Sequence, residues 1–315
     1  MRILVTGAAG NLGSFLTRHL LGSPHELNLL IHRRPLAFDA DAQPNVRVFR
    51  ADLGRPETLA EPCRGVDAVV HFAGVLFAPR PEKFLPTTNV TYVENLAAAA
   101  LGAGVGKIIL VSFPHVEGES TPENPARGTL AGDPTSVHAR TRLAAEKVLF
   151  TACEGTATVP VALRPGMIYG RGVLMIEAAR WLMRRRLMAV WRRPTWIHLL
   201  ALPDFLRCVV AAIEKPAARG IYNLGDDEPL TLQRFLFELA HHWGYRAPRF
   251  LPEWTFFAVA AAVEMYAAAF RTAAPLTRDF IRIGMASYCG DTTRMKAELA
   301  AALAYPTLRE GLPLL

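Results

Sequence analysis

With 315 residues, 51% hydrophobic and 20% charged, the chain has the composition of a core-rich globular protein, which excludes extensive disorder. Its formal net charge of +7 is not gathered into a long lysine- and arginine-only block, so no nucleic-acid partner is expected. Cys63, Cys153, Cys208 and Cys289 are scattered without a CxxC pair or zinc-ligand spacing, so no metal site is expected, and reduced thiols point to a cytoplasmic protein.

Arg2–Thr6 reads as an apolar strand from the first residues onward, and no signal peptide is expected ahead of it. A glycine-rich turn follows, then a helix from Asn11 with Leu12, Phe15, Leu16, His19 and Leu20 on one face. Strands are predicted over 27–32, 46–50, 67–74 and 107–113, with helices near 56–63 and 86–103 between them. Proline and glycine gather over 114–134, which predicts a long loop bordering the site. A helix near 136–154 and a strand over 159–165 complete this rhythm. Short, nearly all-apolar strands alternating with helices predict a doubly wound α/β fold, a parallel sheet covered on both faces. Farther on, 203–215 reads as a helix, 220–225 as a strand, and 231–244 as a helix capped by Thr231 and stopped at Gly244. The expected division is a nucleotide-binding domain over 1–165 and a smaller, mainly helical substrate lobe over 166–315, interleaved with it.

Gly7, Gly10 and Gly13 stand at G-x-x-G-x-x-G spacing directly after the first strand. Such glycines serve a tight turn, close backbone approach to a pyrophosphate, and tight helix–strand packing in a Rossmann-type fold. The helix start at Asn11 and Leu12 then offers unpaired N–H groups and a positive dipole end to the phosphates. Where the second strand ends, an acidic residue for the adenosine ribose is absent. His32-Arg33-Arg34 stands there instead, with no carboxylate before Asp39. Arg33 and Arg34 suit a 2′-phosphate, so NADP(H) is expected ahead of NAD(H), which the same crevice would also admit.

Several further motifs resemble the extended short-chain dehydrogenase/reductases, the NAD-dependent epimerase/dehydratase family, in its 3β-hydroxysteroid dehydrogenase-like branch. Asp52-Leu53 matches the family's adenine-contacting position, His71-Phe72-Ala73-Gly74 its H-x-A-G strand end, and Asn89 its helix asparagine. Leu163-Arg164-Pro165-Gly166-Met167-Ile168-Tyr169-Gly170 resembles the segment beside the nicotinamide. The tail, from Pro275-Leu276-Thr277-Arg278 through Tyr288 to Gly290–Leu299, is similar to that of the same branch. The resemblance implies cofactor contacts from Ala73, Gly74, Asn89, Pro165, Met167 and Ile168.

The resemblance also implies a catalytic Ser or Thr and a Tyr-x-x-x-Lys pair, neighbours at helical i, i+4 spacing. The register, fixed by Leu143-Ala144-Ala145-Glu146-Lys147, places His138 at the tyrosine position and Arg142 at the lysine position. Phe113 takes the serine position, with Ser112 one residue earlier. His138, Arg142 and Ser112 are thus the candidate catalytic residues, and Ser112 and Arg142 also candidate cofactor contacts. Imidazole can carry a proton near neutral pH, but Arg142 beside it disfavours the imidazolium, so His138 is read as a base. Tyr169 and His115 are further proton carriers to consider, each read first as a packing or loop residue.

Trp181, Trp191 and Trp196 lie among arginines in the region that covers the substrate in this superfamily; they read first as an amphipathic helix with a snorkelling basic face, and second as a lining for an anionic, phosphorylated or amphipathic small molecule. The apolar run from Pro252 to Phe270 is short for a spanning helix and holds Glu264 in its middle. Arg271, Arg278 and Arg282 follow, so a peripheral membrane contact or a homodimer surface is the secondary reading of that stretch, behind an ordinary packed helix. Two functions remain open. One is an NAD(P)-dependent oxidoreductase or epimerase/dehydratase acting on a hydroxyl or carbonyl compound through a non-standard His/Arg site. The other is an NADP(H)-binding sensor or scaffold without redox turnover.

Overall fold

The computed structural model describes residues 1–74, 81–270, 272, 276–300 and 302–315. Arg271 and Pro275 of the sequence motifs lie outside them. Strands β1 (Arg2–Thr6), β2 (Glu26–Ile31), β3 (Val46–Arg50), β4 (Ala68–His71), β5 (Lys107–Val111) and β6 (Val159–Pro165) alternate with helices. These are α1 (Asn11–Leu21), α2 (Ala60–Cys63), α3 (Pro81–Leu85), α4 (Tyr92–Gly102) and α5 (Val137–Cys153). Every pairing within the main sheet is parallel, and the strand Gly220–Leu224 completes it beside β6. The spatial order runs from β3 through β2, β1, β4, β5 and β6 to that last strand. Order reverses between β1 and β4, which opens a crevice at their carboxyl ends.

Alternation along β1 shows why its residues are nearly all apolar. Ile3 and Val5 join the core beneath α1, with Leu16 and Leu20. Leu4 joins the opposite core, with Val93, Leu96 and Leu149 of α4 and α5. Both faces are covered, so Ile3 to Thr6 are buried and only Arg2, at the start of the strand, meets water.

Some boundaries differ from the expectation. The strand predicted to Gly74 ends at His71, and the one predicted to Phe113 ends at Val111. The helix predicted over 86–103 opens as a π-helical stretch over Pro86–Thr91; proline has no N–H to give the preceding turn, and the register widens around it. His19, expected on the buried face of α1, is exposed. The stripe that packs on the sheet is Gly13, Leu16, Thr17 and Leu20. Thr17 tolerates burial because its hydroxyl donates to the Gly13 carbonyl at 2.9 Å.

Beyond β6 come β7 (Met167–Tyr169), α6 (Leu174–Arg184), β8 (Ala189–Val190), β9 (Trp196–Ile197), β10 (Leu199–Ala201) and α7 (Leu202–Glu214). After the last sheet strand, here β11, follow β12 (Leu230–Thr231), α8 (Leu232–His242), β13 (Arg249–Phe250), α9 (Glu253–Phe270) and α10 (Arg278–Met285). The short strands pair as β7 with β10, β9 with β12 and β8 with β13. Thr231 caps α8 by accepting from the Arg234 N–H, as its sequence position predicts. Among the described residues no helix is long and apolar enough to cross a membrane.

Candidate active site

The crevice is built from its glycines. Gly7 sits at φ +71°, and a Cβ there would meet the Ala73 backbone nitrogen at 2.8 Å. A Cβ on Gly13 would lie 2.2 Å from the Gly7 carbonyl oxygen. The turn is thereby pressed against the end of β4, and α1 against the turn. No acidic residue lies in the first turn of α1, and Gly10 supplies no side-chain cap. The helix dipole and its free N–H groups are left for an anion. Asn11 turns its side chain elsewhere: Nδ2 donates to the Gly172 carbonyl at 2.9 Å and Oδ1 accepts from the Leu174 N–H at 3.0 Å. It ties α1 to the start of α6. Leu12, half-buried, packs against the core below α1.

At the other end of the crevice Arg33 and Arg34 are exposed, and neither has a hydrogen-bond or ion-pair partner among the described residues. Asp52 Oδ1 accepts from the Gly54 N–H at 2.9 Å, and Oδ2 lies 3.7 Å from His32 Nε2. Leu53 is buried, and its carbonyl accepts from Asn95 Nδ2.

The third region is where β4, β5 and α5 converge. A Cβ on Gly74 would fall 2.2 Å from Arg142 Nη2, so the guanidinium rests directly on that glycine. Arg142 is buried, and its Nε and Nη1 have no hydrogen-bond partner among the described residues. Burial lowers its pKa to about 10, against the pull of Glu146. One turn back, His138 is 3% exposed, with Nδ1 unpartnered among the described residues. Burial above all, then Arg142 and His115, push its pKa down to about 3. The imidazole is neutral. The Phe113 ring meets it edge-on at 4.6 Å and lies 5.2 Å from His115. His71 donates to or accepts from Thr6 Oγ1 at 2.7 Å, and burial followed by Arg142 lowers its pKa to about 3. Asn89, brought inward by the π-helical turn, donates to Thr141 Oγ1 at 2.9 Å and leaves Oδ1 unpartnered among the described residues.

Residues 3–225 match the sequence profile of the NAD-dependent epimerase/dehydratase family. The chain belongs to that family. It is 30% identical over 267 residues to 2-alkyl-3-oxoalkanoate reductase of Stenotrophomonas maltophilia, covering 79% of this chain and 77% of that one. It is 23% identical to the human decarboxylating sterol-4-alpha-carboxylate 3-dehydrogenase, over 80% and 70% of the two chains. MoeE5, solved with UDP-glucuronic acid and NAD, superposes with a TM-score of 0.78 at 21% identity, over 100% of this chain and 97% of that one. That likeness concerns the fold. As an epimerase/dehydratase-family crevice, the site offers what a nicotinamide dinucleotide needs: a glycine cradle for the pyrophosphate and unmet buried polar atoms, on Arg142, His138 and Asn89, farther along. Such a cofactor, when bound, supplies hydride exchange.

Ser112 has another task in this member of the family. Its hydroxyl donates to the buried Glu146 carboxylate, in a short contact. Glu146 also accepts from Arg164 Nε at 3.0 Å and Nη2 at 2.6 Å. Arg164, fully buried, reaches Glu117 through Nη1 and donates to the Thr129 carbonyl at 2.6 Å. Glu117 in turn accepts from the N–H groups of Arg127, Gly128 and Thr129. A chain of charge-assisted bonds therefore runs from β5 through α5 and β6 into the loop over 114–134. Gly166 is pinned by its N–H to the Leu224 carbonyl, and Met167 by its N–H to the His198 carbonyl at 2.7 Å. Pro165 and Ile168 on either side are buried. Tyr169 is fully buried, and a Cβ on Gly311 would fall 1.8 Å from its hydroxyl. Burial raises its pKa, so this phenol is a core residue and no proton carrier for the crevice. His115 Nε2 lies 3.1 Å from the Ala286 carbonyl, and burial lowers its pKa to about 4.

Two buried groups near the crevice were not singled out from sequence, His198 and Asp226. His198 Nε2 lies 2.8 Å from the Asp226 carbonyl, and its Nδ1 accepts from the Gly290 N–H at 3.2 Å. Burial raises the Asp226 carboxyl to about 8. No spacing in the sequence distinguishes these from surface residues; burial by segments far along the chain does.

Proposed function

We propose that this chain is an NADP(H)-dependent oxidoreductase of the epimerase/dehydratase type, acting on a small molecule with a hydroxyl or carbonyl group, with His138 and Arg142 in place of the usual phenol and ammonium. The observation that carries this reading is the Arg142 guanidinium, buried on Gly74 with two donor atoms unpartnered among the described residues. A buried cation with unmet donors beside a glycine-lined crevice is a binding group for ribose hydroxyls. Arg33 and Arg34 support NADP(H), because a guanidinium pairs with a 2′-phosphate in a way no neutral side chain does; NAD(H) remains the lesser ligand. His138, neutral across the physiological range, accepts a hydrogen bond from a substrate hydroxyl. Its low proton affinity makes it a weak base, so slow turnover is expected. The names of two relatives, 2-alkyl-3-oxoalkanoate reductase and sterol-4-alpha-carboxylate 3-dehydrogenase, place the reacting oxygen one carbon from a carboxylate-bearing carbon. β-Oxo and β-hydroxy acids are therefore the first substrates to try.

The test pairs binding with turnover. NADPH is expected to bind more tightly than NADH, and Arg33→Ala with Arg34→Ala to weaken NADPH about tenfold or more while leaving NADH unchanged, in line with loss of a charge-assisted pair. Nicotinamide absorbance should change with a β-oxo or β-hydroxy acid, and His138→Ala should abolish that change without loss of NADPH binding. A second reading, an NADP(H)-binding sensor or scaffold, is favoured by two observations: the Ser112 hydroxyl is bonded to Glu146, and the Phe113 ring packs edge-on against His138. NADPH binding with no absorbance change across a broad carbonyl and alcohol panel would establish that second reading and remove the first.

A further inference from the structure

Outside the crevice, the C-terminal part presents an apolar and basic face that no described residue covers. α9 is 18 residues long, about 27 Å at helical rise, yet only Ala260 and Ala267 of it are buried. Trp254, Ala258, Ala262, Met265 and Ala269 are exposed and recur at helical spacing, an outward stripe without a polar residue. Trp254 is 69% exposed, Met265 68% and Phe270 64%. The two acidic residues of α9 are neutralised from neighbouring segments, Glu253 by Arg193 at 3.2 Å and Glu264 by Arg278 at 2.8 Å.

Arginines gather near the start of this helix, where Arg193 pairs with Glu253. Between Glu177 and Asp204 the sequence has six arginines and no acidic residue. Parallel pairing of β8 with β13 sets Arg192 and Arg193, which follow β8, beside the start of α9, which follows β13, while the end of α6 leads into the other end of the same two-strand ribbon. Arg184, Arg185, Arg186 and Leu187 are exposed just ahead of β8. Arg186 holds φ +60°, a left-handed helix-end position that glycine would occupy with less strain. Arg185 leans on the exposed Trp181 ring, and Arg192 on Phe250 at 5.3 Å. Beside them, a groove of about 420 Å³ is lined by Arg192, Arg193, Phe250, Leu251, Pro252 and Glu253. Arg193 is held by Glu253 and by the Met285 carbonyl. Arg192 has no hydrogen-bond acceptor among the described residues.

We propose that this face binds an anionic phospholipid surface, with α9 lying in the membrane interface and the arginines of the α6 end and the groove on lipid phosphates. Tryptophan, tyrosine and phenylalanine beside clustered arginine is the composition that an interfacial helix requires. Charge decides against a second copy of the chain. A two-fold interface would use the same patch on both partners and bring the arginine clusters together without acidic counterparts. Anionic headgroups supply the missing charge.

Sedimentation of the full chain with vesicles tests this. Binding is expected to vesicles of phosphatidylcholine with phosphatidylserine, to be weak to phosphatidylcholine alone, and to fall with added salt. Arg184→Ala, Arg185→Ala and Arg186→Ala together should lower partitioning to the anionic vesicles on the order of a hundredfold. Trp254→Ser with Met265→Ser should lower binding to both kinds. All five residues are exposed, and unchanged thermal unfolding shows that the variants fold. Quenching of the unmodified protein's tryptophan fluorescence by bromine-labelled acyl chains reports insertion without any variant. Absence of sedimentation with anionic vesicles, absence of quenching, or binding unaltered in both variants overturns the proposal. So does a dimer in solution that Trp254→Ser converts to a monomer while vesicle binding is absent.

Discussion

Arg142, proposed above to hold the cofactor ribose, occupies its place at the expense of stability. Its guanidinium is buried on Gly74, and Nε and Nη1 are unpartnered among the described residues. Glu146, the nearest carboxylate acting on it, is bonded to Ser112 and Arg164. An unmet donor held away from water costs about 1–3 kcal/mol, and an apolar side chain of similar length often relieves such a cost. Arg142→Met is therefore expected to raise the stability of the cofactor-free protein by about 1–3 kcal/mol, while weakening NADPH binding. Urea unfolding and a fluorescence titration of the same variant give both values. A loss of stability would show that the guanidinium is a structural anchor; unchanged affinity would remove it from the cofactor contacts. Ser112 shows the opposite arrangement, a hydroxyl with a full-time internal partner. Phe113, at the position where the family resemblance implies a serine or threonine, packs on the imidazole of His138.

Among the elements, α5, β6 and the loop over 114–134 are joined by the carboxylates of Glu146 and Glu117 on either side of Arg164. Arg164→Leu leaves both carboxylates without their cation, and loss of about 3–5 kcal/mol is expected in urea unfolding, the usual consequence of breaking a buried pair. Glu117→Gln affects the loop more than the whole: amide exchange at Arg127, Gly128 and Thr129 should quicken, because their N–H groups lose a charged acceptor. Equal destabilisation by both variants would mean that the loop folds as part of the sheet. The strands of this region were legible in the sequence because both of their faces are buried, which leaves long apolar runs. So was the glycine cradle, whose spacing is set by local geometry at Gly7 and Gly13. The carboxylates were not. Glu146 sits in a helix and Glu117 after a strand, and nothing adjacent marks either as buried; only the approach of β6, 18 residues from one and 47 from the other along the chain, pairs them with Arg164. The exposure of His19 was hidden for a related reason, since Thr17 satisfies its hydroxyl within α1 and takes the buried place that an apolar pattern gives to its neighbour.

Acidification should act on the molecule as a whole through its buried imidazoles. His71 and His138 are held at about 3 and His115 at about 4, chiefly by burial; burial lowers His198 as well. In the unfolded chain each would titrate near its ordinary value of about 6.5. Between that value and the folded ones the unfolded state binds more protons, so stability is full above about pH 6.5 and falls as pH falls. Asp226 acts the other way over this window, because burial holds its carboxyl at about 8 and acid relieves the desolvation of its charged form. The net uptake on unfolding is then roughly two to three protons, a slope of about 3–4 kcal/mol per pH unit at most. A marginally stable domain would accordingly unfold near pH 5, above the range in which ordinary carboxylates protonate. Guanidinium chloride unfolding at successive pH values measures the slope, and His138→Phe should reduce it by one proton's share, about 1.4 kcal/mol per pH unit. A flat profile between pH 6.5 and 5 would mean that these histidines already carry protons in the folded protein, and His138 would then stand in the crevice as a cation beside Arg142 and serve as an acid.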